Sequence, residues 1–145
     1  LNIYFGGTFS GNSMITFFAK WYLVYLRKNK KKIFSYLENI SKKFENEINT
    51  FCNESNIDVK VYRFFSMIRL VYSSNNIQDR YSRDFFENKK TKDIKKLKAF
   101  LIKQNIYYPK NGIIFFSYSS TKTNIEYVIK MLKKGLNKFF IKKSK

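Results

Sequence analysis

The chain has 145 residues, about one domain. At 44% hydrophobic and 19% aromatic it can bury a core, which excludes a wholly disordered tail. With no His and a single Cys it lacks the residues for a Ser-His-Asp triad, a Cys-His pair, a His-ligated metal or an internal disulfide.

Lys+Arg is 29 against 10 Asp+Glu, a formal net charge of +19, the ordinary footprint of nucleic-acid binding. Only five of these cations are Arg (Arg27, Arg63, Arg69, Arg80 and Arg83), the residue that reads bases and phosphates bidentately. The lysines come with abundant Asn, Ile, Phe and Tyr, a set encoded by A/T-rich codons. Solvated basic faces therefore compete with a polyanion surface as the explanation. No apolar run reaches the roughly 18 residues that span a bilayer, and nothing at the amino end reads as a signal peptide. A soluble chain in a reducing, cytoplasmic compartment is expected, without a membrane partner.

Leu1 opens directly onto Ile-Tyr-Phe-Gly-Gly-Thr with no polar lead-in, so a piece of a longer polypeptide is expected. Met14 to Leu26 are mostly apolar and follow Ser10-Gly11-Asn12-Ser13, which can cap a helix. The Lys30-Lys31-Lys32 run then reads as an interhelix junction. Ile33, Leu37, Ile40, Phe44, Ile48 and Phe51, spaced by threes and fours, predict a second helix. Cys52 closes its apolar face and reads as core, with a reactive thiol the minor option.

Val59, Val61, Met67 and Ile68 to Tyr72 predict two strands about a bend at Phe64-Phe65-Ser66. Residues 75 to 91 read as a loop with a helical turn at Tyr81 to Phe86. Ile94, Leu97, Leu101 and Ile102 mark a third helix. Two further strands are expected, Ile106 to Tyr108 and Ile113 to Tyr118, about the turn Pro109-Lys110-Asn111-Gly112. Thr121, three residues before Asn124, opens a last helix through Ile125, Val128, Leu132, Leu136 and Phe139. The class is α+β.

Gly6-Gly7-Thr8-Phe9-Ser10-Gly11-Asn12 combines glycines, which let backbone approach a ligand, with hydroxyls and backbone N–H groups that suit a phosphate. A Gly-Gly turn ahead of an ordinary helix cap gives the same letters, so both readings stand. The P-loop ending and the dinucleotide spacing are absent.

The same segment resembles the G-G-T-F-S-G-N-P block of class III pyridoxal-phosphate aminotransferases, especially those similar to glutamate-1-semialdehyde aminomutase. Phe65-Ser66-Met67-Ile68 resembles the family's G-S-M-F strand. Phe100 to Pro109 resembles its L-L-x-x-G-V-Y-L-P turn, and Phe115 to Ile125 its F-x-S-x-A-H-T-x-x-D-I approach to the last helix. The blocks fall in order along the whole chain.

The resemblance implies the C-terminal small domain of a fold-type I enzyme: an antiparallel sheet of about three to four strands packed with helices and preceded by a long connection. Residues 1–12 would form a cofactor-phosphate loop ending the large domain, 13–56 connecting helices and 57–145 the small α/β domain. The cofactor implied is pyridoxal 5'-phosphate, and the complete protein would be a homodimer through its large domain. Gly7 and Thr8 would hold the phosphate of the partner subunit's cofactor. The implied activity is amino-group transfer, as a transferase or an isomerase, between small amine and carbonyl substrates, with no nucleic-acid partner. In that family the Schiff-base lysine and the groups holding the pyridine ring lie upstream, so no catalytic residue is expected here and the fragment alone would be inactive.

Several positions depart from the family pattern, among them Ser13 for proline, Phe65 for glycine, Ser120 for histidine and Asn124 for aspartate. The carboxylate that the aminomutases often carry after Pro109 is also missing. A degenerate, inactive subunit and a small basic polyanion-binding domain are the alternative readings. Arg69 reads either as a carboxylate anchor for substrate or as half of a structural ion pair. The apolar stretch at 14–26, with Ile3, Tyr4, Phe5 and Phe9, is expected to need a cover that the large domain would supply.

Overall fold

The computed structural model describes residues 11–109 and 112–141. The chain divides into two compact units, residues 1–35 and residues 36–145, and the division falls inside the first helix.

That helix, α1, runs unbroken from Ser13 to Glu54. The two helices expected over 14–26 and 33–51 are therefore one, and the junction at Lys30-Lys31-Lys32 does not exist. The reason is local: no Gly or Pro interrupts Arg27 to Lys32, and Lys and Arg are good helix formers that keep their charge in water on a helix surface. Asn12 is the N-cap. Its Oδ1 accepts from the Ile15 N–H at 3.1 Å and its carbonyl from the Thr16 N–H at 2.9 Å. Ser13, which replaces the family's proline, thus stands at the first helical position, where proline is also favoured.

The helix ends in a Schellman motif. Asn56 takes φ +52°, its N–H donates to the Asn53 carbonyl at 3.2 Å, and the Ile57 N–H donates to the Cys52 carbonyl at 2.8 Å. Buried Ile57 then fixes where the chain turns back.

In the second unit, β1 (Lys60–Phe64), β2 (Met67–Val71) and β3 (Ile113–Phe115) form an antiparallel sheet in the order β1-β2-β3. Phe64 pairs with Met67 around the two-residue turn Phe65-Ser66, and Met67 pairs with Phe115. Alternation puts Val61, Ile68 and Leu70 on one face, where each is at most 1% exposed. They share a core with Phe44, Ile48 and Cys52 of α1. Arg63, on that same face, pairs with Glu38 at 2.8 Å and Glu45 at 2.9 Å of α1.

Three further helices complete the fold. α2 (Arg80–Lys89) is longer than the single turn expected, because Asp79 caps it by accepting from the Ser82 N–H at 2.8 Å. α3 (Thr91–Lys103) buries Leu97 and Leu101. α4 (Lys122–Phe140) is capped as expected by Thr121, whose hydroxyl accepts from the Asn124 N–H at 3.1 Å. A Cβ on Gly135 of α4 would stand 2.5 Å from Leu97 Cδ1, so the glycine is what lets α3 and α4 approach.

The strand expected over Ile106–Tyr108 is not formed. α3 ends in a second Schellman motif: Asn105 takes φ +56° and the Ile106 N–H donates to the Leu101 carbonyl at 2.9 Å. That turn spends the chain on a helix cap, and the two residues before Pro109 continue without a ladder partner. The strand expected over 113–118 stops at Phe115, since Ser117 to Ser120 close a turn with a 3.0 Å hydrogen bond between the Ser120 N–H and the Ser117 carbonyl.

Candidate functional site

Gly7 and Thr8 lie outside the described residues, as does the Lys110-Asn111 part of the turn after Pro109. Their immediate continuation is described. Gly11 takes φ +77° with open space where a Cβ would be, Asn12 caps α1, and the first turn of α1 carries no acidic residue. No carboxylate in that first turn opposes an anion near the positive end of the helix dipole.

Two positions where this chain meets a glycine of the aminotransferase pattern acquire a physical meaning. Phe65, in place of the glycine before S-M-F, takes φ +49° in the β1-β2 turn. Asn105, in place of the glycine of G-V-Y-L-P, takes φ +56° at the end of α3. Both are left-handed positions where glycine is the unstrained residue. The Phe65 ring is 65% exposed and meets Phe64 edge-on at 5.1 Å.

Arg69 resolves toward the ion pair. On the sheet face opposite Ile68 and Leu70, its Nη2 meets Glu87 Oε2 of α2 at 3.3 Å, and both side chains are about four-fifths buried. Burial pushes the Glu87 carboxyl up, against the attraction of Arg69 and Arg83. Beneath them the Tyr72 hydroxyl donates to that of Tyr108 at 3.1 Å, and burial drives Tyr108 up to about 12 and Tyr72 well above the tyrosine range. The cavity among Arg69, Glu87, Tyr108 and Gly112 is about 30 Å³. That is room for one water and not for a substrate. No pattern in the sequence announced the Tyr72–Tyr108 pair, since its members are 36 positions apart.

A groove of about 450 Å³ is lined by Tyr36, Asn39, Lys43, Lys122, Ile125 and Glu126. Lys43 Nζ donates to Glu126 Oε1 at 2.6 Å, which pushes the amine up. That is opposite to the neutral amine needed to attack a carbonyl. Cys52 is 1% exposed and burial pushes its thiol up to about 11, so it is core and inert. The serines before α4 bond one another, Ser117 Oγ to Ser119 Oγ at 2.7 Å, and the Tyr36 hydroxyl donates to the Ser120 carbonyl. They build a turn, with Ser120 standing where the family pattern has histidine.

No protein-family model and no curated protein sequence matches the chain. Solved structures do. The chain is similar to a variant of a glutamate-1-semialdehyde-aminomutase from Pseudomonas aeruginosa PAO1 in complex with PMP, with a TM-score of 0.71 and 13% identity over 94% of this chain and 29% of that one. An omega-transaminase from Sphaerobacter thermophilus gives 0.68 and 15%, over 92% of this chain and 30% of that chain. A beta-phenylalanine aminotransferase from Variovorax paradoxus gives 0.61 and 12%, over 68% and 22%. At these identities the likeness establishes fold. The α+β architecture with a three-stranded antiparallel sheet is that of the C-terminal domain of fold-type I pyridoxal-phosphate aminotransferases. The chain spans less than a third of the length of each of these enzymes.

Proposed function

We propose that this chain is the C-terminal part of a pyridoxal-phosphate-dependent aminotransferase or aminomutase and that it contributes a phosphate clamp to the partner subunit's cofactor in a homodimer. The observation that carries the reading is the superposition of 94% of the chain on an aminomutase in complex with PMP. The left-handed backbone at Phe65 and Asn105, where the family pattern has glycine, supports it independently. Residues 1–12 are the clamp loop, α1 is the connection, and the sheet with α2 to α4 is the small domain.

The division of labour follows from chemistry. Pyridoxal phosphate, when bound, supplies the electron sink for amino-group transfer. The Thr8 hydroxyl and the Gly7–Thr8 backbone N–H groups hold its phosphate, assisted by the dipole of α1. The small domain supports one wall of the substrate site on a rigid core. Reactants are a small amine and a carbonyl compound. The Schiff-base lysine would lie upstream, as the resemblance implies, and Lys43 is not proposed for that role.

The test uses the full-length parent. Thr8→Ala is expected to weaken cofactor binding by about 10- to 100-fold, the worth of one or two charge-assisted hydrogen bonds, in an absorbance titration with pyridoxal phosphate. Undiminished affinity overturns the clamp.

A further inference from the structure

The positive charge of this chain serves neither the phosphate clamp nor the packing of the small domain, and it is unevenly placed. Eight of the ten carboxylates fall between Glu38 and Glu87, whereas from Ile94 to Lys145 there are thirteen Lys and one carboxylate, Glu126. A/T-rich coding raises lysine on every surface and does not segregate the acids. We propose that the outer face of α3 and α4 binds the backbone of single-stranded nucleic acid, a property independent of the aminotransferase reading.

The two helices carry ten Lys against Asp93 and Glu126. Both acids are already engaged, Asp93 with Lys96 at 3.0 Å and Glu126 with Lys43 of α1 at 2.6 Å. Lys92, Lys96 and Lys103 recur at i, i+4 and i+11 of α3, and Lys130, Lys134 and Lys138 at i, i+4 and i+8 of α4. Each set lines one side of its helix, and all six are exposed. α3 and α4 pack through Leu97 and Gly135, and the Tyr127 hydroxyl donates to the Gln104 carbonyl at 3.2 Å, which joins the two outer sides into one surface. Lysine is almost never buried without a partner, so this face stays in water whatever covers residues 14–26.

The chemistry selects the partner. Four of the five arginines, Arg63, Arg69, Arg80 and Arg83, are held in ion pairs with carboxylates elsewhere in the fold. Recognition on this face therefore falls to lysine, a point charge that meets phosphates without reading bases. Tyr107, four residues past Lys103, is 81% exposed, and Tyr127 stands among the lysines of α4 at 44%. Exposed rings within a basic surface stack on unpaired bases of any sequence. A lipid surface needs an apolar helix face to enter the bilayer. The apolar sides of α3 and α4 face the core instead, through Leu97, Leu101, Ile129 and Leu136, and Ile102 is the one large aliphatic side chain that the two helices expose.

Fluorescence anisotropy of the full-length protein with a labelled oligothymidylate tests this. Binding at about 10 µM or tighter is expected in about 50 mM salt, weakening about 100-fold by about 200 mM as counterions are exchanged at about five phosphates. The triple variant Lys103→Glu, Lys130→Glu, Lys134→Glu is expected to lose affinity at least ~100-fold with unchanged helix content by circular dichroism. The variant Lys28→Glu, Lys31→Glu, Lys32→Glu removes the same charge from α1 and is expected to lose less than about 5-fold, because distant exposed charges are screened. Tyr107→Ala is expected to weaken binding about 10-fold, the worth of one stacked base. Absence of binding at the lower salt overturns the inference, and so does an equal loss in the two charge-reversed variants, which would make net charge alone responsible. A duplex of the same length bound more tightly overturns the single-strand assignment. Binding to phosphatidylserine vesicles without binding to the oligonucleotide overturns it in favour of a lipid surface. Thr8→Ala reads cofactor affinity and not this face, so the two proposals fail separately.

Discussion

Asn49 of α1 grips both backbone groups of Val61 in β1. Val61 N–H donates to Asn49 Oδ1 at 2.7 Å, and Asn49 Nδ2 donates to the Val61 carbonyl at 3.1 Å. The side-chain amide thus does for the outer edge of the sheet what another strand would do. It closes an edge that would otherwise expose unpaired backbone groups, and it ties α1 to the sheet at one register.

Replacing that amide strands two polar groups beside a residue that is 1% exposed. Asn49→Leu is expected to lower unfolding free energy by about 2–4 kcal/mol, since each buried unpaired group costs about 1–3 kcal/mol. Chemical denaturation checks this. A loss under about 0.5 kcal/mol, the size of an ordinary surface substitution, would show that water replaces the amide.

Phe65 carries a side chain at φ +49°, where a non-glycine residue costs roughly 1–2 kcal/mol. Phe65→Gly relieves that cost and gives up the edge contact with Phe64, worth about 0.5–1 kcal/mol. The net expectation is a gain of between 0 and about 1.5 kcal/mol, read as a higher denaturation midpoint. A loss would mean that the exposed ring contributes more than the strained backbone costs.

Asp58 sits in the turn after α1. Burial pushes its carboxyl up, but the Lys90 ammonium and the hydroxyl and N–H of Ser74 outweigh that and hold it down to about 2. A folded value below the unfolded one means that the stabilisation is present at neutral pH. It fades as pH falls from about 4 to about 2. Because the carboxylate is 35% exposed, screening leaves about 1 kcal/mol. Asp58→Asn is expected to be less stable than the parent chain by that amount at pH 7 and equal to it near pH 2. A difference independent of pH would reassign the effect to hydrogen bonding alone.

Much of this fold is legible in local letters. The stripes of α1 and α4, the Thr121 cap and the β1-β2 bend all follow from periodicity and turn chemistry, which depend on neighbours within a few residues. The aminotransferase resemblance is carried separately, by contiguous blocks of letters that match family motifs. The proposal that Gly7 and Thr8 hold a phosphate rests on composition and resemblance at residues outside the described ones.

What the tertiary structure alone decided depended on partners far away in sequence. Whether the lysine run broke α1, whether residues 106–108 found a ladder, and whether Arg69 met a substrate or Glu87 were open in the sequence. Each turns on which group arrives from a distant segment. An isolated stretch leaves its polar groups to water, and only the assembled core sets which of them must find one another.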